Sequence, residues 1–196
     1  MPALWQQEHR NDLALRQHGL QGAVEVQRLS GAVRSVQVFV SMSAGQTKCV
    51  IKELLSLVNR QEIADEHDYR TLERILDQLA LARHSMVGDF VETSTDPPTT
   101  DRTLTKSALA VRFPELGLYN IPEHVTSHPM EGGLKLGDAS DDLLDIVLEL
   151  QDVLWHFEQT GNEAAYYNYA WGYDNHWRNH LRGLLWYLEM KRFESD

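Results

Sequence analysis

The sequence contains a single cysteine, Cys49, among 196 residues. One cysteine cannot form an intramolecular disulfide, and it cannot build a zinc site of the multi-cysteine kind. Cys49 lies beside Val50 and Ile51, and no adjacent residue would obviously lower the pKa of its thiol. We therefore expect Cys49 to be a small buried side chain of the core and not a catalytic nucleophile.

Basic residues are also few. Lys and Arg number 18 against 29 Asp and Glu, which gives a formal net charge of -11. An acidic surface repels the phosphate backbone of nucleic acids and the headgroups of anionic lipids. We therefore expect neither nucleic acid nor a membrane as a partner, whereas a metal ion or a cationic partner stays open.

Long apolar runs and familiar catalytic motifs are missing too. No stretch is long and apolar enough to cross a membrane, and the N-terminus has no signal-peptide core, so we expect a cytoplasmic protein. Gly132-Gly133 has neither the preceding strand nor the Lys-Thr ending of a phosphate loop, and there is no Gly-x-Ser-x-Gly elbow. Enzymatic activity is therefore uncertain, and its absence is the stronger expectation.

The stretch from Ser140 to about Arg192 predicts two long helices joined by a short turn. Ser140 is a suitable N-cap for the first helix, and Gly161 stands where a left-handed residue would end it. Large apolar side chains recur at steps of three and four along both helices. In the first helix they are Leu143, Val147, Leu150, Leu154 and Phe157; in the second they are Tyr166, Ala170, Tyr173, Trp177, Leu181, Leu184 and Leu188.

Two amphipathic segments upstream, Lys48–Arg60 and Glu66–Met86, predict an antiparallel helical hairpin, with Asp65 or Asp68 as the N-cap of the second helix. A short helix ending at Pro114 and a long irregular loop should precede the C-terminal hairpin. The fold class is thus all-α: a single-domain helical bundle of about five or six helices over residues 33–196. Residues 1–32 are expected to form an N-terminal arm, and Val33–Val40 the start of a helix, with a strand as the alternative.

Polar residues on the C-terminal hairpin supply the candidate site. The first helix carries acids and a histidine at steps of four, four, three and four: Asp141, Asp145, Glu149, Asp152 and His156. The second carries His176 and His180 four residues apart, hence on one face. A carboxylate helix and a histidine helix can hold a divalent metal between them. The predicted ligands are Asp141, Asp142, Asp145, His176 and His180.

The alternative to a metal site is a solvated acidic face with packed histidines. If a metal binds, Asp145 and His176 must face each other across the hairpin and be partly open to solvent. If none binds, His176 and His180 should be buried against tyrosines, or each satisfied by one carboxylate, without a cleft beside them.

The C-terminal hairpin resembles the bacterial family known as domain of unknown function 5063. The resemblance lies in Asp141-Asp142-Leu143 with Asp145-Ile146, in Trp171 followed by His176-Trp177 and His180, and in the preceding segment Arg112–Ile121. Val147 and Arg178 differ from the family pattern. The resemblance implies a mostly helical bacterial protein and implies no activity, although all five candidate ligands fall on the family's motif.

Two functions therefore follow as expectations from the sequence. The first is a non-enzymatic interaction or accessory domain whose aromatic faces bury a core and a partner. The alternative is a helical protein that binds a metal or small ligand through the five candidate residues, with hydrolytic chemistry if an open coordination position activates water. A protein partner and a homodimer both stay open.

Overall fold

The computed structural model describes residues 42–123, 127–128 and 132–194. The predicted arm over residues 1–32 and the segment Val33–Val40 lie outside the described residues, as does His124. None of the described helices is long and apolar enough to span a membrane.

The predicted all-α helical bundle is confirmed for the described part of the chain. Its elements are α1 (Ala44–Val58), α2 (Glu66–Ala82), α3 (Arg102–Arg112), β1 (Leu118–Pro122), β2 (Leu134–Asp138), α4 (Ala139–Gln159), α5 (Asn162–Gly172) and α6 (Arg178–Glu194). Helix α4 is central, because it packs against α1, α3, α5 and α6. The upstream helices therefore cover the C-terminal pair, and α4 presents side chains to nearly every other element.

Helices α1 and α2 form the predicted hairpin. Asp65, one of the two predicted candidates, is the N-cap of α2, and its side chain accepts from the backbone N–H of Asp68 at 2.9 Å. Ion pairs join Glu53 to Arg74 and Arg60 to Asp68. The later residue of the first segment, Arg60, thus pairs with the earlier residue of α2, Asp68. This order is the one expected for antiparallel helices.

The expectation of a buried Cys49 is wrong, because its side chain is exposed. The buried face of α1 contains Thr47, Val50, Ile51 and Leu54. These positions recur with the helical period of 3.6 residues, which turns position 49 to the opposite side.

Helix α4 begins at Ala139, one residue before the predicted N-cap. Asp138 caps it instead of Ser140, since its carboxylate accepts from the N–H groups of Ser140 and Asp141 at 3.0 and 3.4 Å. Gly161 follows the helix with a φ of 109°, as predicted for a residue where a side chain would be strained. The predicted apolar stripe is buried, apart from a half-buried Leu154.

A five-residue π-helical segment, Tyr173–Trp177, joins α5 to α6 without a break. The N–H of Arg178 donates to the carbonyl of Tyr173, five residues back. The second long helix therefore has the predicted extent, but its regular winding is interrupted. Its predicted apolar face is buried from Tyr173 onward, whereas in α5 the fully buried ring is Tyr169 and Tyr166 is half-buried.

The irregular loop predicted before the C-terminal hairpin is partly wrong, since it contains two paired strands. β1 and β2 are antiparallel, with Leu118 opposite Asp138 and Pro122 opposite Leu134. Pro122 stands at the strand end, where a proline is tolerated. The hairpin turns Tyr119 toward α6 and leaves Leu118 exposed, and through Tyr119 it reaches the candidate site.

Candidate metal centre

Helix α4 presents three carboxylates to the last helix. Asp142, Asp145 and Glu149 follow at steps of three and four, so they lie on one face. Asp142 and Asp145 are each only 8% exposed, which means that this part of the acidic face is an interhelical surface. Opposite them are His176 from the π-helical segment and His180 from α6.

Three of these side chains can meet at one metal ion. Asp145, His176 and His180 each offer one ligand atom, and the three atoms lie within 4.8 Å of one another. The Nε2 atom of His180 is 3.5 Å from Oδ2 of Asp145. The two imidazole rings are 5.1 Å apart between centroids, in an edge-to-face arrangement.

Each histidine is oriented by a carboxylate on its other nitrogen. Nδ1 of His180 is 2.7 Å from Oδ1 of Asp142, and Nδ1 of His176 is 2.7 Å from Oε1 of Glu149. A neutral imidazole that donates Nδ1–H to a carboxylate keeps the lone pair of Nε2 for a metal, and metal-bound histidines are commonly held in this way. The nitrogens free to bind an ion are therefore the Nε2 atoms.

The carboxylates have further partners, which come from upstream elements. Arg102 of α3 donates to Oδ1 of Asp145 at 2.6 Å, which leaves Oδ2 directed toward His180. The hydroxyl of Tyr119 donates to Oδ2 of Asp142 at 2.6 Å, whereas His180 contacts Oδ1 of the same carboxylate. Both aspartates are thus fixed by two partners, so the cluster is preorganised.

Two glycines make room for the ring of Tyr119. Gly137 lies directly across the hairpin from it, and an added Cβ there would lie 2.6 Å from Cζ of the ring. An added Cβ at Gly183 of α6 would overlap the Tyr119 hydroxyl. Glycine is required at both positions by this close approach and not by an unusual φ.

The charges around the cluster shift the titration of its members. The hydrogen bond that His180 donates to Asp142 raises the pKa of His180, and the charge of Asp145 adds to the effect against the opposing influence of burial. Burial raises the pKa of Tyr119, and its hydrogen bond to Asp142 raises it further. Tyr119 is therefore a neutral donor at any physiological pH, and a metal ion would have to displace a proton from His180.

Asp141, another predicted ligand, points to a different place. It pairs with Lys106 at 3.1 Å and with Arg102 at 3.4 Å, and Lys106 is the main cause of the lowered pKa of its carboxyl group. Of the five predicted ligands, three converge, Asp142 stands one hydrogen bond behind them, and Asp141 faces the cations of α3.

The roles of Arg102, Tyr119 and Glu149 escaped the sequence analysis. Glu149 was on the predicted acidic face, and its i,i+4 relation to Asp145 was the available signal. Arg102 and Tyr119 lie 43 and 23 residues from their aspartates, a separation that no local pattern reports.

Gly172, the last residue of α5, leaves room for the carboxylate of Glu149. An added Cβ at this position would lie 2.7 Å from Oε2 of Glu149 and 3.0 Å from Nε1 of Trp177. Trp177 is fully buried, and its Nε1 has no hydrogen-bond partner within the described residues. The absence of a side chain at Gly172 thus lets Glu149 reach His176.

The chain has a fold already seen in a solved structure. A crystal structure of protein BF1032 from Bacteroides fragilis matches with a TM-score of 0.57 and 17% sequence identity, over 73% of this chain and 87% of that one. At this identity the likeness concerns the fold alone. Protein-family models and curated proteins yielded no match, so the resemblance to domain of unknown function 5063 stays a prediction.

Proposed function

We propose that this protein binds a divalent metal ion through Asp145, His176 and His180. The observation that carries the proposal is the convergence of these three side chains from two helices, with ligand atoms within 4.8 Å of one another. Two ligands of a tetrahedral zinc ion, each about 2.1 Å from it, are about 3.4 Å apart. The 3.5 Å between His180 Nε2 and Asp145 Oδ2 agrees with that spacing.

The ligand set favours zinc, iron(II) or manganese. Imidazole nitrogens suit zinc and iron, and a carboxylate oxygen is acceptable to all three ions. Three protein ligands leave positions open on the ion, and an ion held in this way activates water or polarises a substrate oxygen. Of the two residues that were expected to be partly open to solvent, Asp145 is buried at 8% exposure, whereas the side chain of His176 is 46% exposed. Small molecules therefore have access to the cluster from the side of His176.

The competing state is a protonated His180 held between Asp142 and Asp145. The raised pKa of His180 favours that state, and the cluster would then be a charge network that fixes α6 on α4. The interaction or accessory role expected from the sequence corresponds to this state and stays a prediction. The two states differ in one measurable property, which is metal affinity.

The test is calorimetric titration of the untagged, chelator-treated protein with Zn²⁺ and with Mn²⁺. The variant His176→Ala/His180→Ala removes both nitrogens, and Asp145→Asn removes the charge of the third ligand at constant size. His67→Ala/His84→Ala is the matched control, because it also removes two histidines but from exposed positions of α2 and the turn after it.

We expect one ion per chain in the wild type and in the matched control. Binding should be lost in the double variant and weakened at least tenfold in Asp145→Asn. No binding to the wild type, together with a lower melting temperature for the double variant, would overturn the proposal and assign the histidines a structural role. Equal binding by the double variant and the control would overturn it as well.

A further inference from the structure

A cleft of about 450 Å³ opens between the segment that follows α2 and the helices α4 and α5. We propose that this cleft binds a small organic ammonium compound. The proposal is separate from the metal centre and does not rest on it, although Glu149 lines the cleft and also holds His176. The volume falls in the range of small-molecule sites.

Aromatic rings line the cleft from two elements. Phe90 of the segment after α2 packs edge-to-face against Tyr167 of α5, with ring centroids 5.3 Å apart. Trp171 stands one turn further along α5. Phe90 is 70% exposed and Trp171 is 55% exposed. The faces of aromatic rings attract organic cations, and large rings left open to solvent beside a cleft are typical of a binding surface.

The charged side chains that line the cleft are all acidic. Four carboxylates line it, from Glu92, Asp96, Glu149 and Asp152, and no Lys or Arg stands among the lining residues that the structure describes. The one histidine in the lining, His156, has its pKa lowered by burial and is therefore neutral at neutral pH. A cation is complementary to this surface, and an anion is repelled by it.

Of the four carboxylates, only Glu149 has a hydrogen-bond partner among the described residues, which is His176. Asp152 makes no hydrogen bond or ion pair with another described residue, and burial together with the nearby charge of Glu149 raises the pKa of its carboxyl group. Asp152 is exposed and therefore accessible to a ligand, and a cation placed beside it would also relieve the repulsion from Glu149. Asp152 is therefore the expected charge partner of the ligand.

An organic cation suits the cleft better than a metal ion. The carboxylates of the cleft do not converge on a point, since Asp145, His176 and His180 make up the one group of described residues that could hold a metal. Charges that are spread out and interleaved with rings fit a cation that is itself large and partly apolar.

The segment that carries Phe90 packs closely against α5 where it begins. Gly88, at the start of the segment that carries Phe90, touches α5 so closely that an added Cβ would lie 3.1 Å from Cβ of Tyr166 and 3.2 Å from the backbone nitrogen of Tyr167. This contact fixes the segment against α5, so less conformational entropy is lost when a ligand binds.

The experiment compares choline with its neutral isostere 3,3-dimethylbutan-1-ol by calorimetric titration, in the presence of EDTA to exclude metal effects. The two test variants are Trp171→Ala and Asp152→Asn. Their matched controls are Trp186→Ala, which removes a ring of similar exposure at 51%, and Asp77→Asn, which neutralises an exposed acid of α2.

We expect choline to bind and the neutral alcohol to bind at least tenfold more weakly. Each test variant should weaken choline binding by about tenfold, the size expected from the loss of one ring face or one charge, and each control should leave it unchanged. Equal affinity for both compounds, no binding of choline, or an equal effect of Trp186→Ala would overturn the proposal. All replaced side chains are exposed, so the variants should fold.

Discussion

The close approach of Gly183 to Tyr119 predicts that a Gly→Ala substitution inside a helix will lower the stability of the protein instead of raising it. Gly183 lies inside α6, where Ala is normally more stabilising than Gly by about 1 kcal/mol. Here an added Cβ would overlap the hydroxyl that donates to Asp142. The Tyr119 ring cannot retreat freely, because it already lies against Gly137. The substitution Gly183→Ala must therefore displace the hydroxyl from Asp142.

The expected magnitude follows from two opposing contributions. A hydrogen bond to a buried carboxylate contributes about 1.5–3 kcal/mol to stability, and its loss should exceed the helix-propensity gain of about 1 kcal/mol. Gly183→Ala should thus destabilise the wild type by about 0.5–2 kcal/mol. In a Tyr119→Phe background the hydroxyl is gone and the nearest ring atom is Cζ at 3.4 Å, so the same change should stabilise by about 1 kcal/mol.

Urea unfolding of the four proteins, monitored by circular dichroism, gives the coupling energy directly. Gly45→Ala in α1 is the control for helix propensity, because nothing lies within 4 Å of a Cβ at that position. The steric argument is refuted if Gly183→Ala stabilises the wild type as much as Gly45→Ala does. It is also refuted if Gly183→Ala has the same effect in the wild type and in Tyr119→Phe.

Three further predictions concern other parts of the molecule. Gly172→Ala should push Glu149 away from its histidine and weaken metal binding about tenfold, and unchanged affinity in calorimetry would contradict this. The same change should also lower the melting temperature, because the added Cβ would lie 3.0 Å from Nε1 of the buried Trp177. Arg112→Met, which strips a buried carboxylate of a guanidinium at 2.6 Å, should cost about 3–5 kcal/mol in urea unfolding, whereas the half-exposed Arg60→Met should cost about 1 kcal/mol or less. Burial lowers the pKa of His156 from 6.5, so protonation favours the unfolded state and the wild type should lose stability as pH falls below about 6.5. The pH dependence of urea unfolding should be shallower in His156→Gln, and parallel curves would refute the assignment.

The helices of this fold could be predicted because their signals are local. The apolar stripes of α4 and α6 repeat at helical spacing, and Gly161 and Asp65 mark ends through their own backbone chemistry. The start of α4 was placed slightly late because Asp138 and Ser140 are both good caps. Which of the two residues caps the helix depends on where β2 ends, and the end of β2 is set by its pairing with β1.

The strands and the π-helical segment carry no comparable signal. β1 and β2 are five residues each, too short for alternation to stand out, and their pairing bridges a stretch rich in glycine and proline. The residues from Asn162 onward contain no pattern that marks a π-helical segment, so we attribute this segment to packing. One such contact is the ion pair between Asp174 of the segment and Arg83, which follows α2. Local propensity cannot report a choice that tertiary contacts make.

The candidate site was predictable in the same uneven way. Spacings of four selected Asp145, His176 and His180, because residues one turn apart share a face. Spacing also proposed Asp141, since a face about 100° wide admits more residues than one ion can use. The supporting Arg102 and Tyr119 arrive from distant segments and could be found only when the fold brought them together.

The π-helical segment sets the rotational phase of the last helix. A segment with one residue more per turn leaves α5 and α6 out of phase by about 100° relative to a single regular helix. Helix α5 can therefore aim Trp171 into the cleft while α6 aims His180 at Asp142, although both belong to one continuous rod. A one-residue deletion within Tyr173–Trp177 would restore regular winding and keep His180 at nearly the same angle relative to α5, whereas a one-residue deletion in the regular part of α5 or α6 would shift the residues that follow by about 100°. The loss of one residue from this continuous helix should thus be tolerated best within the π-helical segment, although no loop exists there.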